Sequence, residues 1–195
     1  MKYCLFMGTF NPIHNAHLSF AQKVKDNFSF DKIIFVPAYI QPFKSKDECI
    51  KSANDRYKML EIAIKNYPFF EVSNIEYQKG DTSYTVETIE LLYEQLNDIE
   101  GKINIIIGTD AFKNIFKWYR AEELIKLVNF IVLKRETDDL PLQKEFEKIS
   151  YNILESENIN ISSTKIRNMI KSGQDISGLV PAEVERYIYG NKLYN

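Results

Sequence analysis

The stretch from Tyr3 to Val24 limits what this chain can fold into more than any other. Tyr3-Cys4-Leu5-Phe6-Met7 is a short apolar run with the character of a buried strand. Gly8-Thr9-Phe10-Asn11-Pro12-Ile13-His14 follows as a tight turn, and Leu18 to Val24 carries the apolar spacing of a helix. A buried strand that passes through a tight turn into a helix is the building unit of an α/β sheet. In open sheets of that kind, ligands sit beyond the carboxyl ends of the strands, where this turn would lie.

The rest of the chain repeats the alternation. Strands are predicted over residues 32–36 (ended by Pro37), 69–73, 103–107, 130–133 and 152–154. The run from Ile103 to Ile107, closed by Gly108, is the best candidate for a central parallel strand. A helix opens at Ser52, where Asp55 completes an approximate capping box and Tyr57, Leu60 and Ile64 form the apolar face. A second, over 85–96, sets Val86, Ile89, Leu92 and Tyr93 along one side. Two more are predicted over 163–171, stopped near Gly173, and over 181–189, stopped at Gly190. Strands alternating with helices imply a doubly wound, mostly parallel α/β sheet with C-terminal helices, a Rossmann-like architecture in one domain over 1–195. Residues 37–52 read as a loop long enough to close over a substrate.

The first turn also holds both histidines of the chain, His14 and His17. Three residues apart at a helix start, they share a face at the end where partial positive charge collects. Gly8 lets the backbone approach a ligand, and Pro12 stiffens the turn. Two imidazoles beside a helix N-terminus suit a phosphate that gains negative charge during reaction. From the residues alone, a structural role for the pair is nearly as good a reading. No third histidine exists and neither cysteine adjoins the pair, so no metal-binding set is read there.

Charge and cysteine usage exclude some partners. Lys plus Arg number 25 against 27 Asp plus Glu, and this balance argues against a general nucleic-acid binder while leaving small anionic ligands open. Cys4 and Cys49 make neither a disulfide framework nor a metal cluster; Cys4 is expected to be buried and free, in a reducing cytoplasm. The apolar N-terminal run is too short for a signal peptide and no run reaches bilayer length, so no membrane partner is expected. Homo-oligomer formation stays open.

The first turn resembles the G-G-T-F-D-P-I-H-x-G-H signature of the HxGH nucleotidylyltransferase superfamily, with Met7, Asn11 and Ala16 departing from it. Further stretches are similar to its nicotinate mononucleotide adenylyltransferase branch. Val36-Pro37-Ala38-Tyr39-Ile40-Gln41-Pro42-Phe43-Lys44 resembles that branch's V-P…P-H-K loop, with Phe43 in place of His. Ser83-Tyr84-Thr85-Val86-Glu87-Thr88 resembles S-Y-T-V-D-T, and Gly108-Thr109-Asp110 with Trp118 resembles G-x-D followed by Trp. Ile161-Ser162-Ser163-Thr164-Lys165-Ile166-Arg167 resembles I-S-S-T-x-I-R, and the tail from Leu179 to Tyr194 follows the same branch.

That resemblance implies transfer of the adenylyl group of ATP to nicotinate mononucleotide, giving deamido-NAD and pyrophosphate. It implies catalytic roles for His14, His17, Lys44 and Arg167, with His17 toward the α-phosphate. Gly8, Thr9 and Phe10 would join the histidines at ATP, Gly108 and Asp110 would meet its ribose, and Ser163, Thr164 and Arg167 would hold the departing pyrophosphate. Thr9 and Lys44 would also serve the mononucleotide. Its nicotinate carboxylate would meet the Thr85 amide beside Tyr84, with Trp118 against the ring and the Trp118–Tyr119 backbone nearby. Mg²⁺ would be held mainly by substrate phosphates and water, with no protein metal site. The alternatives are the same chemistry on nicotinamide mononucleotide or phosphopantetheine, or a non-catalytic nucleotide-binding sensor on the same fold.

Overall fold

A computed structural model describes residues 1–40, 52–141, 144–156 and 159–195. The chain runs β1 (Tyr3–Gly8), α1 (Asn15–Asn27), β2 (Lys32–Pro37), α2 (Ala53–Ile64), β3 (Phe70–Val72), α3 (Ile75–Lys79) and α4 (Thr85–Gln95). It continues as β4 (Ile103–Gly108), α5 (Thr109–Lys113), α6 (Ala121–Leu127), β5 (Val128–Arg135), β6 (Tyr151–Ser156), α7 (Ser163–Lys171) and α8 (Ala182–Gly190), with short 3-10 turns at Ile115–Lys117 and Lys144–Lys148.

The strands form one sheet in the order β3-β2-β1-β4-β5-β6, and every neighbouring pair is parallel. From β1 the chain winds outward through β2 to β3, then returns to β4 on the other side of β1. The strand order therefore reverses between β1 and β4, and the carboxyl ends of these two strands, Gly8 and Gly108, flank a topological switch point. The Ile103–Ile107 strand is central, as its apolar run predicts.

Side chains alternate across the sheet with the two-residue period of a strand. Cys4, Phe6, Ile33, Phe35, Ile106 and Ile131 face a core closed by Leu18 and Val24 of α1, Met59 and Leu60 of α2, Ile166 of α7 and Ile188 of α8. Leu5, Ile34, Val36, Ile105, Ile107 and Val132 face a second core closed by Val86, Ile89 and Leu92 of α4 and Leu124 of α6. Covering both faces is what lets the strands be near-continuously apolar. Cys4 is fully buried and free, as expected. Among the described residues no helix is long and apolar enough to cross a membrane.

The structure adds or shifts several elements. α3 and α5 have five residues each and α6 seven, too few for a helical period to show in sequence. The Ser52 cap is present: its hydroxyl accepts from the Asp55 N–H at 3.1 Å and donates to the Asp55 carboxylate at 2.6 Å. Leu60 and Ile64 lie on the buried face of α2 as expected, with Met59 and Ala63, but Arg56 is buried with them while Tyr57 is only half-buried. α7 ends where expected, before Gly173 at φ +65°. α8 begins one residue later than predicted, with Pro181 as its N-cap, and includes Gly190. Of the 37–52 loop, residues 41–51 lie outside the described residues, and Phe43, Lys44 and Cys49 with them.

Candidate active site

The turn after β1 is buried almost throughout: Thr9, Phe10, Asn11, Ile13 and His14 are all shielded from solvent. Phe10 adopts the left-handed region at φ +48°, which folds its ring back over the end of β1. A Cβ at residue 8 would stand 3.1 Å from that ring, so any larger residue there would press the Phe10 ring aside by a few tenths of an ångström. At Gly108 a Cβ would meet nothing within 4 Å, so that glycine leaves open space beside the switch point.

His14 is the N-cap of α1, in extended backbone, and His17 lies in the first turn of the helix. The helix begins after His14, and the two rings come together at its start as the spacing implies, stacked with centroids 3.6 Å apart and 20° between planes. The His14 N–H donates to His17 Nδ1 at 3.3 Å, so a neutral His17 carries its proton on Nε2. Phe6 and Phe10 stand edge-on to His17 at 5.8 and 5.1 Å. Burial lowers the His14 pKa to about 4. Burial among these rings, with His14 alongside, holds His17 well below the ordinary imidazole range. Both side chains are therefore neutral near pH 7. His14 Nδ1 is, among the described residues, the only buried side-chain nitrogen or oxygen with no hydrogen-bond partner, the sort of exception that collects at functional sites.

Four distant side chains grip the turn. Arg56 Nη1 donates to the Thr9 carbonyl at 2.8 Å, and Arg167 Nη1 to the Asn11 carbonyl at 3.0 Å. The Ser163 hydroxyl donates to the Pro12 carbonyl at 2.8 Å, and the Tyr194 hydroxyl to Asn11 Oδ1 at 2.8 Å. Arg167 also donates to the Thr164 hydroxyl at 3.2 Å. The expected pyrophosphate residues thus assemble against the histidine turn, with Ser162 capping α7 by accepting the Lys165 N–H.

A cavity of about 360 Å³ opens at the switch point. Its floor is Phe6, Met7 and Gly8 of β1 with Ile105, Ile106, Ile107 and Gly108 of β4; its walls include Glu76, Ser83, Tyr84, Thr85, Trp118 and Tyr119. That size and apolar lining suit a small planar ligand. Tyr84 is the N-cap of α4 and makes no side-chain cap bond, and Tyr84 and Thr85 line the cavity, so a helix N-terminus, the kind of site that suits an anion, lies at its wall. The Tyr84 and Tyr119 rings lie 4.5 Å apart at the rim.

Glu76 is buried in the wall. Its carboxylate accepts from the Thr88 hydroxyl at 2.9 Å and from the Tyr39 N–H at 3.2 Å, and the Ser83 hydroxyl bonds it as well. Burial pushes its carboxyl above the ordinary range, although these donors and Lys79 pull the other way.

The structure therefore gathers the expected residues in two groups. His14, His17, Ser163, Thr164 and Arg167 cluster on the turn with Thr9; Tyr84, Thr85, Gly108, Trp118 and Tyr119 line the cavity; Gly8 belongs to both. Asp110 neither caps α5, whose N-cap is Gly108, nor is buried: its exposed carboxylate pairs with Arg135 at 3.2 Å. Lys44 lies outside the described residues.

Residues 5–169 match the model of the cytidylyltransferase-like family. A Staphylococcus epidermidis protein named as a probable nicotinate-nucleotide adenylyltransferase is 42% identical, with 98% of each chain covered. A Caldicellulosiruptor bescii protein of the same name is 38% identical over 100% of this chain and 99% of its own. This chain belongs to the nicotinate-nucleotide adenylyltransferase family. Among solved structures, a Plasmodium falciparum nicotinic acid mononucleotide adenylyltransferase complexed with NaAD superposes with a TM-score of 0.80 over 99% of this chain and 97% of that one. At 20% identity that likeness establishes a shared Rossmann-like fold.

Three residues that organise the candidate site, Arg56, Glu76 and Tyr194, escape sequence reasoning. Arg56 had a signal: it falls in register with Met59, Leu60 and Ala63 on the buried stripe of α2, where a cation needs buried partners. Glu76 and Tyr194 had none, because their partners, Tyr39 and Thr88 for the one and Asn11 for the other, are brought to them only by the tertiary fold.

Proposed function

We propose that this protein transfers the adenylyl group of ATP to nicotinate mononucleotide, forming deamido-NAD and pyrophosphate, as a single nucleotidylyltransferase domain of the cytoplasm. The observation that carries the reading is the meeting at Gly8 of two half-sites, a phosphate turn gripped by Arg167 and an aromatic cavity ended by the α4 N-terminus. Membership of a family whose full-length relatives bear that activity's name supports it.

In this reading the ring of the mononucleotide enters the cavity against Trp118, with its carboxylate at the Thr85 amide and the Trp118–Tyr119 backbone. Its 5′-phosphate reaches Thr9 and Lys44. The phosphate oxygen forms a bond to the α-phosphorus of ATP while the bond from that phosphorus to the bridging oxygen breaks, releasing pyrophosphate. The attacking phosphate is already nucleophilic, so alignment and stabilisation of developing charge are what the protein supplies. Neutral His17 offers an Nε2–H donor to the α-phosphate, and His14 stacks beside it. Ser163, Thr164 and Arg167 face the leaving pyrophosphate. Gly108 and Asp110 meet the ATP ribose, Asp110 exchanging its pairing with Arg135. Among the described residues no group of three or more His, Cys, Asp or Glu side chains gathers to hold a metal. Mg²⁺ would be held mainly by the phosphates of ATP and by water, where it would neutralise phosphate charge.

Pyrophosphate release from ATP with Mg²⁺, measured with nicotinate mononucleotide, nicotinamide mononucleotide and phosphopantetheine in parallel, tests the proposal. Preference for the acid is expected. Release with none of the three, from protein that still binds ATP, would overturn it in favour of a nucleotide sensor.

A further inference from the structure

The two half-sites are joined by a chain of buried and half-buried polar groups that runs through one peptide unit pair at Tyr39. Arg56, which holds the Thr9 carbonyl, also donates through Nη2 to the Tyr39 carbonyl at 3.1 Å. The Tyr39 N–H donates to Glu76 Oε2 at 3.2 Å and to the Ser83 hydroxyl oxygen at 2.9 Å. Glu76 Oε1 accepts from the hydroxyl of Thr88, one turn into α4. A backbone bond from the Ser83 N–H to the Ile40 carbonyl at 2.8 Å runs alongside. We propose that Glu76 is a positioning residue that fixes the first turn of α4 at a set distance from the phosphate turn, and so matches the protein to the span of a mononucleotide.

The inference rests on the functional reading above and deepens it. A mononucleotide has its ring at one end and its phosphate at the other, so the cavity and the Thr9 turn must keep a fixed separation for both ends to engage. Misplacement by an ångström is enough to lower reactivity severely. Glu76 touches no reacting atom in this arrangement. It acts through Thr88, Ser83 and Tyr39, and through Tyr39 on Arg56 and Thr9. A carboxylate suits the place because it only accepts, and every neighbour bonded to it donates. A glutamine would turn an amide N–H₂ against at least one of those donors.

Steady-state kinetics with both substrates varied tests this, alongside amide hydrogen exchange of the free protein. Loss of one of the hydrogen bonds that hold the Glu76 side chain leads us to expect Glu76→Gln to raise the KM for nicotinate mononucleotide roughly tenfold, with the KM for ATP within about twofold. Thr88→Val removes the link from Glu76 to α4, together with the longer contact of the same hydroxyl with the Tyr84 carbonyl at 3.3 Å, and should shift the same KM in the same direction, less far. In both variants exchange should quicken at the Thr88 amide of α4, which is bonded to the Tyr84 carbonyl at 3.1 Å, and in Glu76→Gln at Tyr39 as well. Equal rises in both KM values, or a lower Tm with both KM values and exchange unchanged, would overturn the proposal and leave Glu76 an ordinary buried residue. Should Glu76→Gln fail to fold, Thr88→Val decides by the same criteria. A wild-type protein that does not use nicotinate mononucleotide at all would refute the functional reading instead, and the exchange pattern alone would then judge the role of Glu76.

Discussion

Stability should fall between pH 7 and pH 5, and His14 should account for a definable part of the fall. The side chain is 5% exposed and its pKa is held at about 4 by burial, whereas in the unfolded chain it titrates near the ordinary 6.5. The folded value is the lower one, so the unfolded state binds more protons throughout the interval between the two. Unfolding is therefore favoured as pH drops through 6.5, and the loss levels off below about pH 4. Integrating the two titrations from pH 7 to pH 5 gives about 2 kcal/mol for this one residue. His17 acts in the same direction. Urea unfolding at the two pH values, on wild type and His14→Gln, isolates the effect, because glutamine keeps hydrogen-bonding capacity without a charge change. Wild type should lose about 2 kcal/mol more than the variant over that interval. Equal losses would mean that the folded protein protonates His14 as readily as the unfolded chain does, and the neutral stacked pair would be wrong.

Three further outcomes test the site by parts. His17→Ala should abolish turnover, a loss on the order of a hundredfold or more, while circular dichroism and the unfolding midpoint change little; near-normal activity would remove the Nε2–H donor from the mechanism. Trp118→Ala should raise the KM for the mononucleotide far more than that for ATP, and equal effects in steady-state kinetics would count against a ring-facing role. Ser52→Ala should lower stability by about 1 kcal/mol through loss of the α2 cap, with kcat within about twofold of wild type; a large fall in kcat would give that cap a role in the site that its contacts with Asp55 do not explain.

Much of this was readable because it is local. The strand runs, the Ser52 cap and the glycine after α7 are set by residues within a few positions of each other, and each lies where the spacing places it. The motif residues were readable too, but not their geometry. His14 and His17 look like neighbours on a helix, yet the helix begins after His14, and the extended N-cap is what turns one ring flat against the other. Arg167 reads as a free fork for phosphate, and the structure engages one of its nitrogens with the Asn11 carbonyl. Gly8 reads as room for a ligand, whereas the Phe10 ring is its nearest constraint. For Arg167 a partner from another element decides, whereas for the histidines and Gly8 the partner is close in sequence and the backbone decides, extended at His14 and left-handed at Phe10; spacing along the chain carries no record of either.

The grip on the phosphate turn has a consequence for how the protein becomes active. The bonds from Ser163, Arg167 and Tyr194 to residues 11 and 12 close loops of 151, 156 and 183 residues. Contacts at such separations form late and slowly, after local helices and neighbouring strands are in place. A nascent chain that has already paired β1, β2 and β4 could hold the turn through Arg56 alone of the four side chains, until α7 and the residues through Tyr194 leave the ribosome and dock. Activity should therefore lag the burial of the sheet during refolding, which makes turnover a reporter of the last step of folding rather than of the first.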